Sequence, residues 1–86
     1  MPRISYFYGI TIRMFFADHP PPHFHAVYGG ESAEIAIDTL EVIGGALPRR
    51  SLALVLEWAA LHREELRVNW EQCRRHEQPR QIAPLE

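Results

Sequence analysis

The 86-residue chain has no lysine and a single cysteine, Cys73. One cysteine cannot form an internal disulfide or supply the paired thiolates of a cysteine-based zinc site. A reducing cytoplasm is the compartment that fits. No apolar run approaches the roughly 18–20 residues of a membrane span, so no membrane partner is expected. Nor is there an excess of positive charge: nine arginines against eleven carboxylates leave a formal charge of −2. That excludes the broad basic footprint of a strong nucleic-acid binder and leaves room only for a local patch. The exclusive use of arginine is explained most simply by codon usage in a GC-rich genome. Selection for bidentate phosphate or carboxylate contacts is the alternative.

With 47% apolar and 10% aromatic residues, the composition is that of a folded globular protein rather than a disordered one. The length corresponds to one domain over residues 1–86. A chain this short buries only about 60–65% of its unfolded surface, so a homodimer or a dedicated protein partner would relieve a thin margin of stability.

Residues 1–47 read as β-rich. Ile4 to Tyr8 forms a short candidate strand ending at a bend or bulge at Gly9. Ile10 to Phe16 alternates, with Ile10, Ile12, Met14 and Phe16 on one side and Thr11, Arg13 and Phe15 on the other, which predicts a strand. His23–Tyr28 and Glu31–Asp38 flank Gly29-Gly30, a two-residue hairpin turn. That loop pairs Tyr28 with Glu31, His25 with Glu34 and His23 with Ala36. Phe24, Ala26, Ala33, Ile35 and Ile37 then face the core, and His23, His25 and Glu34 face the other way. Leu40 to Ile43 predicts an edge strand or turn ending at Gly44-Gly45.

Pro48 opens a helix where proline is tolerated. One long helix is predicted within residues 48–76, followed by an irregular tail over 77–86. Its apolar residues form two stripes, Leu52, Val55, Leu56, Ala59, Leu66 and Trp70 beside Leu54, Trp58, Leu61, His62, Glu65 and Asn69. A small sheet cannot bury both. Trp58, Leu61, His62 and Glu65 are therefore expected to meet a partner or line a cleft. The predicted fold class is α+β: an antiparallel sheet of three to four strands packed on one long C-terminal helix.

The densest chemistry is His19-Pro-Pro-Pro-His23-Phe-His25, which holds three of the five histidines and three of the seven prolines. Successive prolines predict a stiff extended arm with His19 at one end and His23 and His25 at the other. Two chemistries suit the cluster. On an open sheet face, His23, His25 and Glu34 could exchange protons with a phosphodiester while Arg13 offsets its charge. Alternatively, His19, His23 and His25 could hold a divalent metal, with Glu34 or His62 completing the shell. No motif calls for any other cofactor. The other constellations read more plainly. His62 and Glu65 are helix neighbours three residues apart, and Arg74, Arg75, His76 and Arg80 complement a helix C-terminus or form a modest RNA- or partner-binding patch.

Pro2-Arg-Ile-Ser5, Gly9-Ile-Thr-Ile-Arg-Met14, Asp18-His-Pro-Pro-Pro-His-Phe-His25, Tyr28-Gly-Gly30, Leu47-Pro48, Glu57 to Leu66 and Asn69-Trp70 together resemble the bacterial family catalogued as domain of unknown function 4160. The resemblance covers nearly the whole chain. It implies a small prokaryotic protein encoded beside another small protein, in an arrangement like that of toxin–antitoxin pairs. From this follow the expectations of a small cognate protein partner and of toxin-like RNA cleavage. It carries no catalytic residues onto this chain. The leading expectation is a module of that kind acting through a partner and RNA cleavage. The alternative is a non-enzymatic interaction module whose histidines are structural or bind metal.

Overall fold

The computed structural model describes residues 2–86. Five antiparallel strands run in simple meander order: β1 (Arg3–Phe7), β2 (Ile10–Arg13), β3 (His23–Tyr28), β4 (Glu31–Ala36) and β5 (Val42–Gly45). Two helices follow, α1 (Arg49–Leu61) and α2 (Arg63–Arg74). The class is α+β as expected, but the sheet has five strands rather than three or four, and the long helix is two. The extra strands are short. β2 ends at Arg13 instead of Phe16, and β5 contains two glycines and begins two residues after Leu40. β2 keeps the first half of the expected alternation, and β5, half glycine, has none.

The β3–β4 register matches expectation, with His25 opposite Glu34, Phe24 opposite Ile35 and Ala26 opposite Ala33. Its parity decides the core. Phe24, Ala26, Ala33 and Ile35 are buried, with Ile10 and Ile12 from β2 on the same side. Trp58 sits over them, its ring 5.3 Å from that of Phe7 and 5.8 Å from that of Phe24.

The helical break falls at His62 (φ −125°, ψ 26°), which ends α1 and begins α2. The two apolar stripes resolve into one. Val55, Trp58, Ala59, Leu66, Asn69, Trp70 and Cys73 are buried, and they recur at three- and four-residue intervals along a single line. That line lies between the two expected stripes and takes members from each. Trp58 is fully buried and therefore cannot belong to an exposed partner surface; Leu61 and Glu65 are exposed, and His62 is half-buried. Burial pushes the Cys73 thiol pKa up, so Cys73 serves as a packing residue.

The tail over 77–86 is irregular but fixed. Asn69, itself buried, donates to the Arg80 carbonyl at 2.9 Å and accepts the Arg80 N–H at 3.0 Å. The Trp58 indole N–H donates to the Ala83 carbonyl at 2.8 Å, and the Ile82 N–H reaches the Ile4 carbonyl at 2.8 Å. The tail thus covers β1, an outer strand of the sheet, and buries Ile82 in the core. An uncovered strand edge invites association, and here the chain's own C-terminus occupies it.

Two predictions follow from this packing. Asn69→Ala leaves both Arg80 backbone groups unpaired, which costs about 1–3 kcal/mol. Amide exchange at Ile82 should accelerate correspondingly; unchanged exchange would mean that the tail is held by other contacts. Gly45 has φ +69°, and a Cβ there would stand 2.2 Å from the Ser32 carbonyl oxygen, whereas one at Gly30 meets nothing within 4 Å. Gly45→Ala is expected to destabilise by about 1–3 kcal/mol, and Gly30→Ala by less than about 0.5. Thermal melts should separate the two variants, at about 4–8 °C per kcal/mol for a domain of this size.

Candidate metal centre

The residues between β2 and β3 do not form an extended arm. Their ends are tied down by backbone hydrogen bonds from Met14 to Pro2, from Ala17 to Cys73 of α2, and from Ile37 to Pro22. The Pro20–Pro21 peptide is cis, and the chain turns back so that the His19 and His23 rings lie 5.2 Å apart. Asp18 is thereby delivered against the start of β3.

Asp18 is the hub. Its Oδ2 lies 3.0 Å from His23 Nε2 and 3.1 Å from His25 Nε2, and its Oδ1 lies 2.8 Å from both the backbone N–H and Nδ1 of His19. Burial alone would raise its pKa. Hydrogen bonds from the side chains of His25 and His19 and from the His19 backbone, with a smaller electrostatic effect of the nearby His23 ring, outweigh that effect and hold it at about 2. Asp18 is therefore ionised throughout the neutral range.

His23 and His25 share a strand parity but differ in environment. His25 is partly exposed on the outer face, with the Phe15 ring edge-on at 4.3 Å. His23 is fully buried, with the Trp70 ring of α2 5.2 Å away. The expectation that both lie on an open face therefore fails for His23, because the 14–22 loop and α2 fold over that end of the sheet. His23 is removed from the proposed acid–base pair, since no substrate reaches a sealed imidazole.

The tautomer of His23 follows from its neighbours. Nδ1 lies 2.7 Å from the Pro21 carbonyl oxygen. A carbonyl only accepts, so Nδ1 carries the proton and, in the neutral ring, Nε2 is a bare lone pair. That Nε2 is buried and makes no hydrogen bond. It faces Asp18 Oδ2 at 3.0 Å and Glu34 Oε1 at 3.5 Å, both of which are also acceptors. Three acceptors converge; the donor beside them, His25 Nε2, lies 3.1 Å from Asp18 Oδ2, and His23 Nε2 makes no hydrogen bond.

Such spacing suits a cation. Ligand atoms about 2.1 Å from a tetrahedral ion stand about 3.4 Å from one another. Asp18, His23 and His25 each offer one ligand atom within 4.8 Å of the other two; His19, His23 and Glu34 form a second, overlapping group. The expected metal set of His19, His23 and His25 is thus regrouped: Asp18 takes the place of His19, which instead braces the other oxygen of Asp18. His62 belongs to neither group and pairs with Glu65 at 2.6 Å. Arg13 lies directly opposite His25, and His25 opposite Glu34, so these three form one row on the outer face. Asp18 was the residue missed from the sequence. It stands five and seven positions before His23 and His25, and its carboxylate could have been counted with the imidazoles.

Residues 9–71 match the family model described as Domain of unknown function (DUF4160), a stretch that contains Asp18, all three clustered histidines, Glu34 and Trp70. No curated protein and no solved structure matches the chain. With most of its length inside that match, the chain belongs to the DUF4160 family.

Proposed function

We propose that this protein is a mononuclear divalent-metal protein, with Asp18, His23 and His25 as its ligands. The observation that carries the reading is the buried, hydrogen-bond-free Nε2 of His23 facing an ionised carboxylate at 3.0 Å. An imidazole that donates one nitrogen to a backbone carbonyl and offers the other to a cation has the arrangement of a metal ligand with its supporting partner. A proton in the gap is the competing occupant. It would make a fully buried imidazolium beside Asp18, an ion pair whose burial is costly unless it is well hydrogen-bonded, and Nε2 makes no hydrogen bond.

Three protein ligands leave positions for water, the pattern of a catalytic rather than a structural site. A divalent ion bound there would lower the pKa of its water. Glu34 is about one-third exposed, with its carboxylate 3.5 Å from the same Nε2, and is placed to accept that water's proton. Such an ion would supply a hydroxide nucleophile at neutral pH, and Glu34 would hold the proton taken from that water and return it to the leaving oxygen. The RNA-cleavage reading survives only in this form, with the histidines holding an ion rather than exchanging protons.

Calorimetric titration of tag-free, chelator-treated protein with zinc, manganese or cobalt tests the assignment. One ion per chain is expected, with affinity falling at least about tenfold to a hundredfold in Asp18→Asn and in His25→Gln, and unchanged in His62→Gln. Saturating metal at about 100 times its Kd should add about 2.7 kcal/mol of stability. Weak binding that is indifferent to Asp18 and His25 would overturn the reading.

A further inference from the structure

The outer face of the sheet carries a second arrangement that the metal centre does not use. Arg3 of β1 lies directly opposite Arg13 of β2, and that row continues through His25 and Glu34. Beside it runs the row Tyr6, Thr11, Val27 and Ser32. Both arginines are exposed, and among the described residues neither makes an ion pair. Like charges directly opposed on paired strands repel, yet a chain of net charge −2 places two guanidinium groups there with no carboxylate between them. An anion on this face would relieve that repulsion.

The aromatics narrow the anion. The Tyr6 ring is 53% exposed, with the Arg3 guanidinium 5.4 Å from its centre. Phe15, half-buried, lies against His25. Two arginines beside an exposed tyrosine ring and a half-buried phenylalanine on an open antiparallel sheet make a platform for an unstacked base and its phosphates. A free phosphate would engage the arginines and leave the rings without purpose. A duplex keeps its bases stacked and would not reach Tyr6.

We propose that the outer sheet face binds single-stranded nucleic acid, with phosphates on Arg3 and Arg13 and a base stacked on Tyr6. Phe15 and His25 lead the strand to the metal centre. The last element rests on the metal reading above; the binding surface itself does not.

The test is fluorescence anisotropy with a short, unstructured, labelled RNA at low salt in the presence of EDTA. Saturable binding is expected without metal. Arg3→Gln/Arg13→Gln should weaken it at least tenfold and reduce the salt slope by about 1.4, or about 0.7 for each lost phosphate contact on a single strand. Tyr6→Ala should weaken it by roughly tenfold. These side chains are exposed and the arginine pair is mutually repulsive, so thermal melts of the variants should not fall below the wild-type value. No saturation, binding indifferent to the arginine pair, or equal affinity for a duplex of the same sequence would overturn the proposal; so would competition by inorganic phosphate at the concentration of RNA phosphate. The metal titration repeated on Arg3→Gln/Arg13→Gln separates the two readings. Metal binding without RNA binding removes only this inference, and RNA binding in EDTA without any metal affinity removes only the other.

Discussion

The parity of the β3–β4 hairpin is the constraint on which the rest depends. The two-residue Gly29-Gly30 turn fixes the pairing of Tyr28 with Glu31 and every pair beyond it. Because side chains alternate, Phe24, Ala26, Ala33 and Ile35 go under Trp58, while His25 and Glu34 go to the opposite face. A slip of one residue would bury Glu34 in an apolar core and expose Phe24, with a penalty no surface contact could offset. The core and the chemistry are therefore specified by one register. Arg13 joins His25 only because β2 is read off the same alternation.

Parity alone does not explain His23. It has the same alternation as His25 and would be exposed if the sheet ended in solvent. Instead the loop from Met14 to Pro22 folds across it, and Trp70 closes the other side. One imidazole is thus locked by a backbone carbonyl and sealed from water, while its neighbour stays accessible. Under the proposed metal reading, His23 would be a rigid ligand at the back of the site and His25 an adjustable one at the front. Asp18 joins them because both its oxygens are engaged, Oδ1 by His19 and Oδ2 by the facing imidazoles.

The sequence revealed what is periodic and concealed what is long-range. The hairpin register, the α+β class, the core residues of β3 and β4 and the helical region were legible because alternation and turn chemistry are local signals. The five-stranded count was not, since β5, four residues of which two are glycine, carries too few alternations to be told from a turn. The two-stripe reading of the helix failed because it weighed all apolar residues alike. Tail residues Ile82 and Leu85 pack on the core, and Leu52, Leu54 and Leu56 lie half-buried against it. At the site, the imidazole cluster was visible as composition, but the role of Asp18 depends on the chain reversing between Ala17 and His23. Nothing local announces that reversal, and triple proline argued for the opposite.

A domain of this size has little stability to spare. Leaving the Nε2 of a sealed histidine without a partner costs about 1–3 kcal/mol, a substantial share of that margin. An apolar residue of similar volume at position 23 would pack against Trp70 without the cost, and replacing buried polar clusters in this way is often stabilising. Selection for folding alone would therefore remove His23. Its presence beside an ionised Asp18, with Nδ1 already committed to the Pro21 carbonyl, is accounted for when the cluster's remaining valence belongs to a ligand. On that argument the proposed ligands Asp18, His23 and His25 would form a binding site whose cost to stability is recovered when a cation is bound.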